Sequence, residues 1–185
     1  MADEIVDACC IINLYSASDD FCSLLQAMAE NLHVPQIVVE ESLYVYRQDE
    51  EDARKTIREE IDLSPAVEDE LVQLCDLESS EESALFVRFA ADLDDGEAAC
   101  LAIAQARTWT VATDDRKAQR LASESGIPVV TTPELMKRWA DAENVSDAEV
   151  AAVLQRIRQF ARFVPRRGSV LHEWWMKRLE PSTPK

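Results

Sequence analysis

Between Asp92 and Gly126 the chain reads DLDDGEAACLAIAQARTWTVATDDRKAQRLASESG, and two groups of acids in it could do chemistry together. Asp94, Asp95 and Glu97 open an alanine-rich helix. Thr113, Asp114 and Asp115 end a short apolar strand, Trp109 to Ala112, just before a second amphipathic helix. Strand carboxyl ends and helix amino ends share one edge of an open α/β sheet, so acids from both places can converge there. Converging carboxylates need a cation to offset their repulsion, and an all-oxygen site of this kind suits Mg2+ or Mn2+. Asp95 also reads as the N-cap of a helix from Gly96 to Arg107, with Glu97 favourable to its dipole. A calcium-binding EF-hand is excluded, because Ala91, Leu93 and Ala102 occupy places where its loop needs acids.

The remaining ligands must come from elements earlier in the chain. Glu4 to Leu14 (EIVDACCIINL) is an apolar run broken only by Asp7 and Asn13, which reads as a buried parallel strand with Asp7 at or near its carboxyl end. A helix cap at Asp7 is the weaker reading, since neither a capping glutamate nor a helical period follows at once. Ser18 to Asn31 carries a helical stripe. In Val34 to Tyr46, Pro35 favours a first helical turn and places Glu41 on the apolar face, where it is an ion-pair partner or a ligand. Gln48 to Ile61 reads as a charged helix, Ile61 to Glu78 as a short extended piece and another helix, and Ser79 to Ala91 as a capped amphipathic helix.

With 185 residues, 47% of them hydrophobic, and only three glycines, the chain is expected to form one domain with a proper core. Acids near the amino terminus do not suit a signal peptide, and no stretch approaches a membrane span, so a cytoplasmic protein is expected. The five cysteines lack CxxC spacing and sit in apolar contexts, which reads as reduced, buried thiols rather than disulfides or a zinc site. The net charge is −17, yet residues 151–181 carry +5 and, with Lys185, leave −23 on the first 150 residues. Such a body is no general nucleic-acid binder, but it can engage a phosphate chain locally through cations and the basic tail.

In that tail, Asp141 to Phe163 has a capping pattern at Ser146 and Glu149, and Ser169 to Leu179 adds Trp174 and Trp175. Arg156, Arg162, Arg166 and Arg167 fall on or just beyond the polar side of a helix. For this tail, packing on the core or on a partner is expected over direct nucleic-acid contact, and these arginines and the two tryptophans are the residues expected to meet RNA or a partner, with docking favoured. His172 reads as structural.

Taken in order, these acids give the chain a resemblance to PIN-domain proteins, the fold of metal-dependent ribonucleases that includes the VapC-type toxins. It rests on Asp94-Asp95-Gly96-Glu97, Ala102, Ala104, Asp114-Asp115, Arg120 and Ala122, with Asp7 matching the family's first acid, Glu41 its second, Glu97 its third and Asp115 its fourth. The resemblance implies a three-layer α/β/α sandwich around a parallel sheet of about four or five strands. Residues 1–140 would form the nuclease domain and residues 141–185 a helical extension packed on the core or on a partner. It implies a Mg2+ or Mn2+ site at Asp7, Glu41, Glu97 and Asp115, flanked by Asp95 and Asp114, with Thr113 and Cys9 positioning substrate. RNA as substrate, an antitoxin as partner and a homodimer are likewise implied. Two positions depart from the family pattern: Cys9 stands where a small polar residue is usual, and the third acid is a glutamate with Asp95 as competitor. The alternative reading is a catalytically degenerate module that binds protein partners.

Overall fold

The structure is a computed structural model that describes residues 3–28, 31–41, 43–49, 52, 55–142 and 145–179. β1 (Asp3–Val6) leads into α1 (Ala8–Ala17) and α2 (Phe21–Met28), and β2 (Asn31–Pro35) into a single turn, α3 (Gln36–Val39). A ribbon of β3 (Tyr44–Gln48) and β4 (Thr56–Glu60) follows, then α4 (Ser64–Glu68) and β5 (Val72–Cys75). The second half runs α5 (Ser80–Phe89), α6 (Asp95–Arg107), β6 (Thr110–Ala112), α7 (Arg116–Glu124), β7 (Val129–Val130) and α8 (Thr132–Ala142). α9 (Asp147–Arg156) passes into a π-helical turn, Ile157–Ala161, and the described chain ends in α10 (His172–Leu179).

Five strands form one parallel sheet in the order β5-β2-β1-β6-β7, flanked by helices as a PIN-like α/β/α sandwich. From β1 the chain steps outward to β2 and β5, then crosses back to β6 and β7 on the other side. Right-handed crossovers place the helices of the two journeys on opposite faces. Accordingly α1 packs with α2, α8 and α9, while α6 packs with α5 and α7. The order reverses between β1 and β6, and in open sheets the crevice at the carboxyl ends of such a pair takes the ligand. Asp7 and Thr113 are the first residues beyond those two ends, and Asp7 N donates to Ala112 O at 3.0 Å. On the α6 face the buried run Ala98–Ala104, mostly small side chains, lets the helix touch β1, β2 and β6 at once. No described helix is long and apolar enough to cross a membrane.

Four sequence expectations change. The run Glu4 to Leu14 is not one strand: β1 stops at Val6, and Asp7, the next residue, is the N-cap of α1, accepting from Ala8 N. Ile5, Val6, Cys10, Ile11 and Leu14 are all fully buried, so the run carries no periodicity to separate strand from helix. Val34 to Tyr46 is not a helix either. It holds the end of β2, one helical turn and the start of β3, and Glu41 lies in the turn rather than on an apolar helix face. Gln48 to Ile61, expected as a charged helix, supplies β4. That strand pairs antiparallel with β3 around buried Val45, with Arg47 Nε 3.3 Å from Glu59 across the ribbon. Cross-strand pairing and one buried side chain outweigh the helix preference of the charged residues.

The fourth change concerns one side chain of the tail, Trp175. α9 and the π-helical turn pack on α1, and the turn also packs on β3. Trp175 is fully buried, with its ring 5.7 Å from Phe163 and nearly perpendicular to it. It is a core side chain and not a contact for RNA or a partner. Residues 180–185 of the expected extension lie outside the described residues.

Candidate active site at the sheet's carboxyl edge

Asp7 is buried where β1 hands over to α1. Its Oδ1 accepts from Ala8 N at 2.7 Å, and its Oδ2 accepts from Thr113 Oγ1 at 2.8 Å and from Cys9 Sγ at 3.2 Å. Burial pushes its carboxyl above the ordinary value; the three donors pull it back, and the charge of Asp94 adds to the rise. Glu97 sits in the first turn of α6. Burial, then Asp94, Asp7 and Asp115, push it up to about 7. Glu41 rises too, through burial and then through Asp94, Asp7 and Asp95. Acids from β1, the α3 turn, the start of α6 and the start of α7 thus act on one another across the same small space.

Gly96 explains how Glu41 enters. A Cβ at that position would stand 2.1 Å from Glu41 Oε1 and 3.3 Å from Val38 Cγ2, so only glycine lets the carboxylate lie against the helix mouth. Asp115 caps α7, its Oδ1 accepting from Lys117 N at 2.7 Å and Ala118 N at 2.9 Å. The cap of α6 is Asp94, not Asp95: Asp94 Oδ1 accepts from Glu97 N at 2.9 Å, and Asp95 is the first helical residue. The sequence puts Asp94 in the acid cluster but not in the expected ligand set, although its charge acts on Asp7, Glu41 and Glu97. The Asp94-x-x-Glu97 spacing, an N-cap followed by an acid at the third position, is the signal that could have found it.

The sequence matches the DUF3368 family, a PIN domain, over residues 4–168. The chain belongs to the PIN-domain family. No curated protein and no solved structure matches it in the same way. PIN domains are generally nucleases and typically bind divalent metals, which supplies a test for the donor set. Among the described residues, Asp7, Glu41, Asp94, Asp95, Glu97 and Asp115 form no ion pair with any Lys or Arg. An all-carboxylate cluster in which Asp7, Glu41 and Glu97 are pushed upward, with no side-chain cation in it, fits a hard divalent ion.

The PIN domain's other expected site residues divide. Asp114 does not join the cluster. Its oxygens accept from Asn13 Nδ2 at 2.9 Å, Thr132 N at 3.1 Å and Thr132 Oγ1, tying α1 to α8. Burial raises its carboxyl while these bonds lower it. Side chains alternate in extended chain, so Asp114 and Asp115 cannot both face the acids. Thr113 is fully buried and cannot touch substrate; its hydroxyl holds Asp7 and accepts from Asp115 N at 3.2 Å, which makes it a positioning residue for the acids. Cys9 is half-buried and lines a cleft of about 990 Å³.

That cleft joins the acids to the tail. Glu97, Asp115, Arg116 and Gln119 line it together with the strap of residues 163–170, including the exposed Arg166 and Arg167. Arg156 is engaged elsewhere, paired with Asp19 and set over the Phe160 ring at 5.2 Å. Arg162 lies over Tyr46 at 3.6 Å, and Trp174 stacks beneath Arg178 at 4.6 Å. Of the six tail residues expected to make contacts, Arg166 and Arg167 are therefore the ones at the cleft.

Proposed function

We propose that this PIN domain is a divalent-metal-dependent endoribonuclease that hydrolyses RNA phosphodiester bonds in the cytoplasm, acting as the homodimeric toxin of a toxin–antitoxin pair. The observation that supports the reading is that the charge of Asp7 acts on both Glu41 and Glu97, and that of Asp115 on Glu97, which burial and these neighbouring acids hold up to about 7. These four side chains would hold Mg2+ or Mn2+, with Asp94 and Asp95 at the rim. Bound there, such an ion supplies a Lewis acid and a water acidic enough to act as a nucleophile near neutral pH.

The protein's own residues do the rest. Thr113 and Cys9 fix the orientation of Asp7 through their hydrogen bonds to its Oδ2. Arg116 and the strap's Arg166 and Arg167 line the same cleft and provide planar, bidentate donors for phosphate. This placement favours RNA contact over partner docking for that part of the tail. It also gives an acidic body a local path for a polyanion, through arginines on one side and a metal-loaded carboxylate site on the other. The thiol at position 9 still donates to the first acid, which supports retained activity over the degenerate-module reading.

The test is calorimetric titration of Mn2+ into wild type and Asp7→Asn, with cleavage of single-stranded RNA followed in parallel. Binding is expected to be lost or weakened at least tenfold in the variant, and Asp115→Asn should abolish metal-dependent cleavage. Equal Mn2+ binding by wild type and Asp7→Asn would overturn the assignment.

A further inference from the structure

The nuclease reading uses Cys9 only as a donor to Asp7 and gives Cys10 and Asp114, which lie beside it, no part. The Sγ atoms of Cys9 and Cys10 and a carboxylate oxygen of Asp114 all lie within 4.8 Å of one another. Cys10 Sγ is 3.5 Å from Asp114 Oδ2, and Asp114 N donates to Cys9 Sγ at 3.2 Å. The two cysteines are the chain's only adjacent pair, at the start of α1, while Asp114 arrives from beyond β6. Cys9 and Asp114 both line the cleft, so an ion can reach the cluster from solvent without the fold opening.

Ligand chemistry separates this cluster from the carboxylates beside it. Two thiol sulfurs favour soft or borderline ions, whereas an all-oxygen set favours Mg2+ and Mn2+. On a tetrahedral zinc-sized ion with metal–sulfur bonds of ~2.3 Å, neighbouring ligand atoms stand about 3.8 Å apart. The cluster's spread is within about an ångström of that, a change that small side-chain rotations can supply. Asn13 Nδ2 and Thr132 N already hold the Asp114 carboxylate in place, as outer partners commonly orient a ligating side chain.

The geometry points to a second metal site in this chain, one for a thiophilic divalent ion such as Zn2+ or Cd2+, held by Cys9, Cys10 and Asp114. Binding replaces two S–H bonds by two metal–thiolate bonds and releases two protons to solvent; no electron is transferred. Among the described residues no fourth His, Cys, Asp or Glu joins the cluster, so water would complete the coordination. The site has a consequence for its neighbour. The Cys9 thiol now donates to Asp7 Oδ2 at 3.2 Å, and a metal-bound thiolate has no proton to donate. A soft ion therefore removes one of the three donors that hold Asp7, and it acts as an inhibitor where Mg2+ or Mn2+ would act as a cofactor. That last step rests on the nuclease reading; the binding itself does not.

The test titrates Cd2+ into the reduced, metal-free protein and follows the ultraviolet thiolate-to-cadmium charge-transfer band, with no RNA present. One equivalent should bind with a strong band in wild type and in Cys22→Ser, whose thiol is on α2. Cys9→Ser and Cys10→Ala should each lose most of the band, and Asp114→Asn should weaken binding by at least tenfold. Circular dichroism of each variant identifies any that fails to fold; two cysteine variants at separate positions keep the comparison open if one does. Absence of the band in wild type, or its persistence in folded Cys9→Ser and Cys10→Ala, overturns the site. Because Mn2+ binding at the carboxylates is read separately, failure of one site is distinguishable from failure of the other.

Discussion

Replacing Gly96 with alanine should separate the metal site from the stability of the fold. An added Cβ would stand 2.1 Å from Glu41 Oε1 and 3.1 Å from Glu41 Cδ, with Val38 Cγ2 next at 3.3 Å. The first two atoms belong to the end of a flexible side chain on an exposed residue, so the carboxylate can swing away by more than an ångström. If the swing leaves a χ angle about 30° off its staggered well, it costs about 0.5–1.5 kcal/mol. Alanine in place of glycine near a helix start returns up to about 1 kcal/mol through backbone entropy. The two nearly cancel, and unfolding of the metal-free variant by urea should differ from wild type by no more than ~1 kcal/mol. Metal binding has no such compensation, because the displaced Glu41 leaves one of four carboxylates out of the site. Calorimetry with Mn2+ should show affinity reduced at least tenfold, which is about 1.4 kcal/mol or more. Unchanged affinity would remove Glu41 from the ligand set. A loss of more than ~2 kcal/mol in metal-free stability would show that Gly96 is a packing requirement of α6 rather than a gap kept for a carboxylate.

Three further outcomes are expected. Glu97 is raised from 4.5 to about 7, so at pH below 4.5 both folded and unfolded chains hold the proton and Glu97→Gln is silent in metal-free protein. Between pH 4.5 and about 7 the unfolded chain loses a proton that the folded wild type keeps, so wild-type stability falls and the variant becomes the more stable by roughly 1–2 kcal/mol after solvent screening, a difference that stays constant above about 7; urea unfolding below pH 4.5 and at about pH 8.5 reads it. Arg166→Ala with Arg167→Ala should weaken RNA binding and flatten its dependence on salt while leaving Mn2+ affinity unchanged, since fewer counterions are released on binding. Trp175→Ala should cost about 3–5 kcal/mol in denaturant unfolding, as for other buried large-to-small changes, and sedimentation should show no change in oligomeric state in the variant that remains folded.

The legible parts of this chain are those where one signal stands alone. Both capping boxes form as their spacing implies, with Ser79 and Glu82 at α5 and Ser146 and Glu149 at α9 each satisfying the other's backbone. The helix–strand–helix order around Trp109 is also visible, because glycine, alanine and a strongly amphipathic α7 leave little ambiguity. The failures come where two periods are degenerate. The Glu4 to Leu14 run is buried as a strand and then as a helix, and buried elements of either kind are apolar on every side. β2 is five residues ending in Pro35, and β4 is rich in charged residues, so both are set by the partners beside them and not by their own sequence.

At the site, residue identity was readable but direction was not. Asp94, Asp95, Asp114 and Asp115 are two adjacent pairs, and sequence gives each pair a place without saying which member faces the acids. The backbone decides: Asp94 ends in extended geometry and caps, which turns Asp95 into the first helical turn. Asp115 is extended as well and caps α7, which leaves Asp114 pointing back toward Asn13 and Thr132. A cap must aim its carboxylate at the next turn's amides, so the capping residue's partner is forced to a different side of the chain. The same rule that splits the acids thereby delivers Asp114 to Cys9 and Cys10 while Asp115 caps α7, so the two members of one DD pair serve different partners at a single sheet edge.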